Sequence, residues 1–162
     1  MNTIVESSPL PARAAVRGLL EDLVGRPVEL CDGHPVYAHP TNVVGIYVND
    51  SLGLAAAVVV DLAGAARLGG ALGMLPPGGV EDAIDENDVS GMLAENCYEV
   101  LNVLAGTFNV AGAPHVRLYE MYGPDVPLPA DVAALTARIG ERLDVLLSIA
   151  GYGDVRLSVV VS

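Results

Sequence analysis

The chain predicts an α+β domain, an antiparallel sheet with helices packed on it. Three observations lead there. Apolar, strand-like runs come in adjacent pairs, 43–48 with 54–60 and 143–149 with 155–161, each pair joined by turn formers. A single long stretch, residues 88–108, carries strong helical periodicity. The elements run helix, strands, helix, helix, strands, without the strict alternation of a parallel sheet. At 162 residues the chain suits a single domain with a proper core. We expect a flexible N-terminal tail over 1–9 and one domain over 10–162.

In chain order, Ser8 is the expected cap of a first helix through Arg13, Val16, Leu19, Leu20 and Leu23, which stops at Gly25. Pro27 to Cys31 reads as a strand, Asp32-Gly33 as a turn, and His34 to Pro40 as a short edge strand. Asn49 to Gly53 closes the first hairpin, and strand 54–60 is apolar almost throughout, as expected when both faces are covered. Asp61 caps a second helix, 62–72, whose Gly64, Gly69 and Gly70 make it dependent on packing. Leu75 to Gly79 ends that helix, and acidic 81–88 reads as a solvated lead-in to the long helix. His115 to Tyr122 is a strand, 124–129 a proline-rich loop, and 130–139 a short helix before the last hairpin.

Composition excludes several functions. The net charge is -12 and there is no lysine, so the footprint for nucleic acid is missing, as is attraction to an anionic membrane. The chain is 52% hydrophobic with a mean hydropathy of +0.46, yet its apolar runs are short. The first ten residues carry an acid and no basic residue, unlike a secretory signal, so a cytoplasmic location is expected. Cys31 and Cys97 have no close-spaced partners and are read as buried free thiols. His34, His39 and His115 are scattered, and no metal or cofactor site is expected.

The long helix carries the chemistry. Val89, Leu93, Val100, Leu104 and Phe108 line one side. At about 100° per residue, Glu95, Glu99, Asn102 and Gly106 fall within roughly 60° of one another, almost opposite that stripe. A solvated helix face is the ordinary meaning of such a ridge. Here neither glutamate has a Lys or Arg one turn away, and Asn102 in mid-helix costs a few tenths of a kcal/mol against Ala.

Glu99, Asn102 and Gly106 resemble the E-x-x-N-x-x-x-G helix of the CheX/CheC/FliY family, phosphatases of bacterial response regulators. The glycine-containing hairpin at Gly53 is similar to one in that family, and the resemblance runs from about residue 10 to the end. CheC-type members have two motif helices. Here Glu21 and Asp22 of the first helix have no Asn three residues on, so the single-motif CheX type is closer. Two positions depart from the pattern. Glu95 stands where the family often has Asp or Ser, and Pro124 lies one residue early in a diverged 123–131 segment.

The resemblance implies a CheX-like single domain that dephosphorylates the phosphoaspartate of a receiver domain in two-component, chemotaxis-type signalling. It assigns Asn102 to orient the attacking water and Glu99 to meet the receiver's lysine, with Glu95 and Gly106 at the partner surface. An amide suits the first role because it both donates and accepts. The Mg²⁺ would belong to the receiver, and a homodimer through sheet edges is expected. Two other readings stay open: a catalytically silent module that binds a receiver, and a small-molecule-binding or structural domain.

Overall fold

The computed structural model describes residues 7–38 and 41–162. Six strands form one antiparallel sheet: β1 (Val28–Asp32), β2 (Val43–Asn49), β3 (Leu54–Val60), β4 (Val116–Tyr122), β5 (Arg142–Ile149) and β6 (Gly153–Val161). Their order across the sheet is β1-β5-β6-β3-β2-β4. Five α-helices accompany them: α1 (Arg13–Val24), α2 (Leu62–Leu72), α3 (Pro77–Asp85), α4 (Gly91–Leu104) and α5 (Ala130–Thr136). The expected α+β class, with helices on an antiparallel sheet, is what the chain adopts.

Period-two alternation sorts the strand residues between two cores. Val43 and Tyr47 of β2, Val58 and Val60 of β3, and Leu157 and Val159 of β6 join α1, α2 and α4 in the larger one. Val44, Ile46, Val59 and Val160 face the other way, into a smaller core closed by Val36 and by Val132 and Leu135 of α5. Central β3 is buried over six of its seven positions because both faces are covered. In the β2–β3 turn the Asn49 side chain accepts from the Ser51 and Gly53 N–H groups, at 3.0 and 2.8 Å.

The glycines of α2 mark close approach. A Cβ on Gly69 would stand 2.4 Å from the Leu93 carbonyl oxygen of α4, so the two helices cross nearly backbone to backbone. The Asn96 amide seals that crossing by donating to the Gly69 carbonyl at 3.0 Å. Asp61 caps α2 as expected, accepting from the Gly64 N–H and, across to β6, from the Arg156 N–H, both at 3.0 Å. Burial raises the Asp61 carboxyl above its ordinary range, against the lowering effect of those two bonds.

Several local expectations need correction. The first helix starts at Arg13 with Ala12 in the cap position, so Ser8 does not cap it. Pro9 and Pro11 hold the preceding residues out of helical geometry. Most of the expected tail lies outside the described residues, as do His39 and Pro40 of the expected edge strand. The rest of that segment, 34–38, forms no strand and crosses the second face of the sheet. There the Val36 N–H donates to Ser158 Oγ at 2.8 Å, and the Arg142 guanidinium reaches the Val36 carbonyl at 3.3 Å. Side chains thus replace the ladder partners that an edge strand would have needed.

Residues 77–85, read as loop and lead-in, form α3, because Pro77 sits in the first turn, where its missing N–H costs nothing. The long helix is also shorter than 88–108. Asn87 and Gly91 take positive φ, 51° and 56°, and delay its start, and a 3₁₀ turn, Ala105–Thr107, replaces its last residues. Cys97 is buried, but Cys31 is exposed. Cys31 shares the outward face of edge strand β1 with Glu29, opposite Val28, and α5 does not extend over it.

Two outcomes follow from this packing. Gly69→Ala should lower stability by about 1 to 2 kcal/mol in urea unfolding, because the clash with α4 outweighs the gain in helix propensity. Burial pushes the Cys97 thiol up to about 12, so it holds little thiolate at pH 8. A thiol reagent at that pH should label one cysteine, Cys31, in the native protein and both after denaturation. Native labelling of Cys97 would show α4 to be less firmly seated than described.

Candidate functional site

Helix α4 is held from below. Tyr47 on β2 is wholly buried, and its hydroxyl donates to the Leu101 carbonyl at 2.5 Å. The chain tightens just beyond it, the Ala105 N–H bonding to Asn102 and Val103 rather than to Leu101, so the phenol supplies that carbonyl's partner. The Tyr47 ring packs on Phe108 at 5.1 Å between centroids, and burial raises its hydroxyl far above the usual phenol range. Next to Tyr47 on the same strand, Gly45 leaves room for Leu101, whose Cδ1 would lie 2.9 Å from a Cβ there. The residue adjacent to Asn102 is therefore locked to the sheet by a hydrogen bond and by close packing.

The inner stripe behaves as a graded core. Val100, Leu104 and Phe108 are buried, whereas Val89 and Leu93 at the other end are half-buried. Glu95, Glu99, Asn102 and Gly106 are all exposed and share the outer face of the helix and its 3₁₀ extension. Among the described residues no hydrogen bond or ion pair engages the side chains of Glu95, Glu99 or Asn102. A Cβ on Gly106 would meet only Leu19 Cδ1, at 3.8 Å, so packing does not demand glycine there. The surface offers two carboxylates as acceptors and one carboxamide as both donor and acceptor, fixed on a rigid helix and open to a partner.

Nothing on this face resembles a nucleophile–base pair, and no group of three or more His, Cys, Asp or Glu that could hold a metal occurs among the described residues. Cys97 points inward, away from the ridge. Among the described residues no helix is long and apolar enough to cross a membrane. Clefts lie away from the motif side chains. One of about 420 Å³ lies between the end of β4 and α5, lined by Val44, Tyr122, Val126 and Leu128. Another is a shallow trough between α1 and Val103 of α4, beside the ridge.

Periodicity alone did not point to the supports of the site. Tyr47 read only as one more strand residue, and Asn96 as one more polar helix residue. The available signal was a lone tyrosine in an otherwise aliphatic strand, since a buried phenol must find an acceptor.

No protein-family model matches the chain, and no curated protein does. Solved structures do match. A chain from the CheX–CheY–BeF3–Mg²⁺ complex of Borrelia burgdorferi has a TM-score of 0.55 and 13% identity, over 91% of this chain and 93% of that one. The FliM middle domain of Vibrio alginolyticus has a TM-score of 0.55 and 7% identity, covering 89% and 84% of the two chains. The FliM middle domain of H. pylori has a TM-score of 0.53 and 8% identity, covering 91% and 83%. At such identities these likenesses show the fold, which is CheX-like.

Tyr47→Phe tests the support of the site. It should cost about 1 to 3 kcal/mol, since the Leu101 carbonyl would be left buried without its partner. Urea unfolding would read the loss. An unchanged midpoint would show that the hydroxyl is not what seats α4.

Proposed function

We propose that this chain is a CheX-type phosphatase that hydrolyses the phosphoaspartate of a response-regulator receiver domain in the cytoplasm. The observation that carries the reading is the placement of Glu99 and Asn102. They lie one turn apart, exposed, without internal partners, on a helix rigidly seated on the sheet.

In this reading α4 lies across the receiver's phosphorylation site. The Asn102 amide accepts from a water and donates to hold it in line with the phosphorus. The water oxygen bonds to phosphorus as the bond to the aspartyl oxygen breaks. Inorganic phosphate leaves, the aspartate carboxylate is restored, and the water's proton passes to solvent or phosphate. Positioning alone can contribute several kcal/mol, so no covalent intermediate on this chain is needed. Glu99 pairs with the receiver's lysine and fixes the approach, while Glu95 and Gly106 line the contact. The Mg²⁺ that handles developing charge is the receiver's. Strands β1 and β4 are outermost in the sheet, which supports a homodimer through a sheet edge.

A second reading has its own support. The FliM middle domain of Vibrio alginolyticus matches the chain with the same TM-score as the CheX chain, and the H. pylori FliM is seen in a FliG–FliM complex. On that reading the chain docks a protein partner without hydrolysis.

A decay assay of phosphorylated receiver domains separates the two. Asn102→Ala should leave thermal stability unchanged or slightly higher and largely preserve binding, but lower the saturated dephosphorylation rate about 100-fold or more. Glu99→Ala should weaken complex and rate together. Asn102→Asp should fail as well, because it puts negative charge beside the phosphoryl group. Wild-type decay with Asn102→Ala would remove this helix from the mechanism, and tight binding with no hydrolysis by the wild type would favour the docking module.

A further inference from the structure

The acidic ridge is bordered by two large apolar side chains that the core does not use. Met92 is 59% exposed and Tyr98 is 40% exposed. At about 100° per residue, Tyr98 lies about 40° from Asn102 on one side, and Met92 about 80° on the other, just past Glu99. Along the axis Met92 precedes Glu95 by three residues, and Tyr98 lies between Glu95 and Asn102. The outer face of α4 is therefore an unpaired acidic strip with an apolar flank on each side.

We infer that Met92 and Tyr98 are the contacts by which this chain selects its receiver, gripping apolar surface along the two flanks of the acidic strip. The inference rests on the functional reading above and extends it from chemistry to partner choice. Charge complementarity names the occupant. Glu95 and Glu99 have no cationic partner among the described residues, so a cation on the matching surface meets no internal rival. A lone cation meeting carboxylates in water gains little. Apolar flanks that exclude water raise that gain, as a dry ring does around a buried contact. Tyr and Met suit this use. The phenol presents area at small entropic cost, and the thioether adapts to irregular surface.

Single exposed apolar side chains are ordinary, and Ile139, 89% exposed beyond α5 on the opposite side of the sheet, is one. It serves as the control. The experiment takes the full chain and a panel of purified receiver domains, loaded with beryllofluoride and Mg²⁺ for calorimetry and phosphorylated for the decay assay. Tyr98→Ala should raise Kd and KM about tenfold and Met92→Ala about threefold, with kcat at saturation unchanged. Tyr98→Phe should keep near-wild-type affinity, because the ring and not the hydroxyl makes the contact, and Ile139→Ala should change nothing. Thermal melts check that each variant is folded.

If Tyr98→Ala and Met92→Ala both stay within about twofold of wild-type Kd on a receiver the wild type binds, the inference is overturned, while the roles of Asn102 and Glu99 stand. If Tyr98→Ala collapses kcat at saturation, the residue belongs to the chemistry and its docking role is overturned. If the wild type binds no receiver in the panel, this inference and the functional reading fall together.

Discussion

A fully buried phenol must bond to something, and in this fold Tyr47 bonds to the backbone of α4. Its hydroxyl reaches the Leu101 carbonyl from the floor of the sheet. Just beyond that acceptor α4 tightens into a 3₁₀ turn, and the Ala105 N–H turns to Asn102 and Val103. Without the phenol that carbonyl would be left buried and unpaired. Since Leu101 adjoins Asn102, the same constraint sets where the Asn102 side chain leaves the helix.

The glycines complete that seating by distance rather than by bonding. Gly45 lets Leu101 drop onto β2, and Gly69 lets α2 cross α4 almost at backbone contact. Asn96 then bonds across the crossing to the Gly69 carbonyl. Helix α4 is thus held from the sheet at one end and from α2 at the other, and only its outer face is left uncommitted. Glycine in α2 weakens the isolated helix, but the approach it permits brings two helices into dispersion contact along their length. Local propensity yields to tertiary packing at these positions.

The same distinction explains what could be read before the structure. Both hairpins and the polar ridge follow from periodicity, a property of neighbouring residues, and they stand where periodicity places them. Segment 34–38 misled because its partners, Ser158 and Arg142, lie more than a hundred residues away and act through side chains. Helix α3 was hidden because Pro77 and two glycines resemble a terminator, although proline in the first helical turn is permitted. Cys31 was expected to be buried, yet alternation turns it outward with Glu29 on an edge strand that α5 does not cover. The ridge residues were legible from helical spacing, whereas Tyr47 and Asn96, which hold the ridge in place, act through contacts that only the fold creates.

The charge distribution adds a last constraint. The chain has no lysine, and most of its arginines serve its own scaffold. Arg13, Arg17, Arg67 and Arg142 pair with acids of α1, α3 and the strands, while Arg26 and Arg138 bond backbone carbonyls at the ends of β5 and β6. None of these reaches the outer face of α4. A solvated carboxylate is stable alone, so the unpaired state of Glu95 and Glu99 costs little in the free protein. It also keeps the ridge ready, because an incoming cation has no internal rival to displace. Internal pairing would have made any docking exchange one ion pair for another with little net gain. The acidic strip is therefore left open because the arginines bond elsewhere, and the fold holds the helix that carries it in fixed geometry.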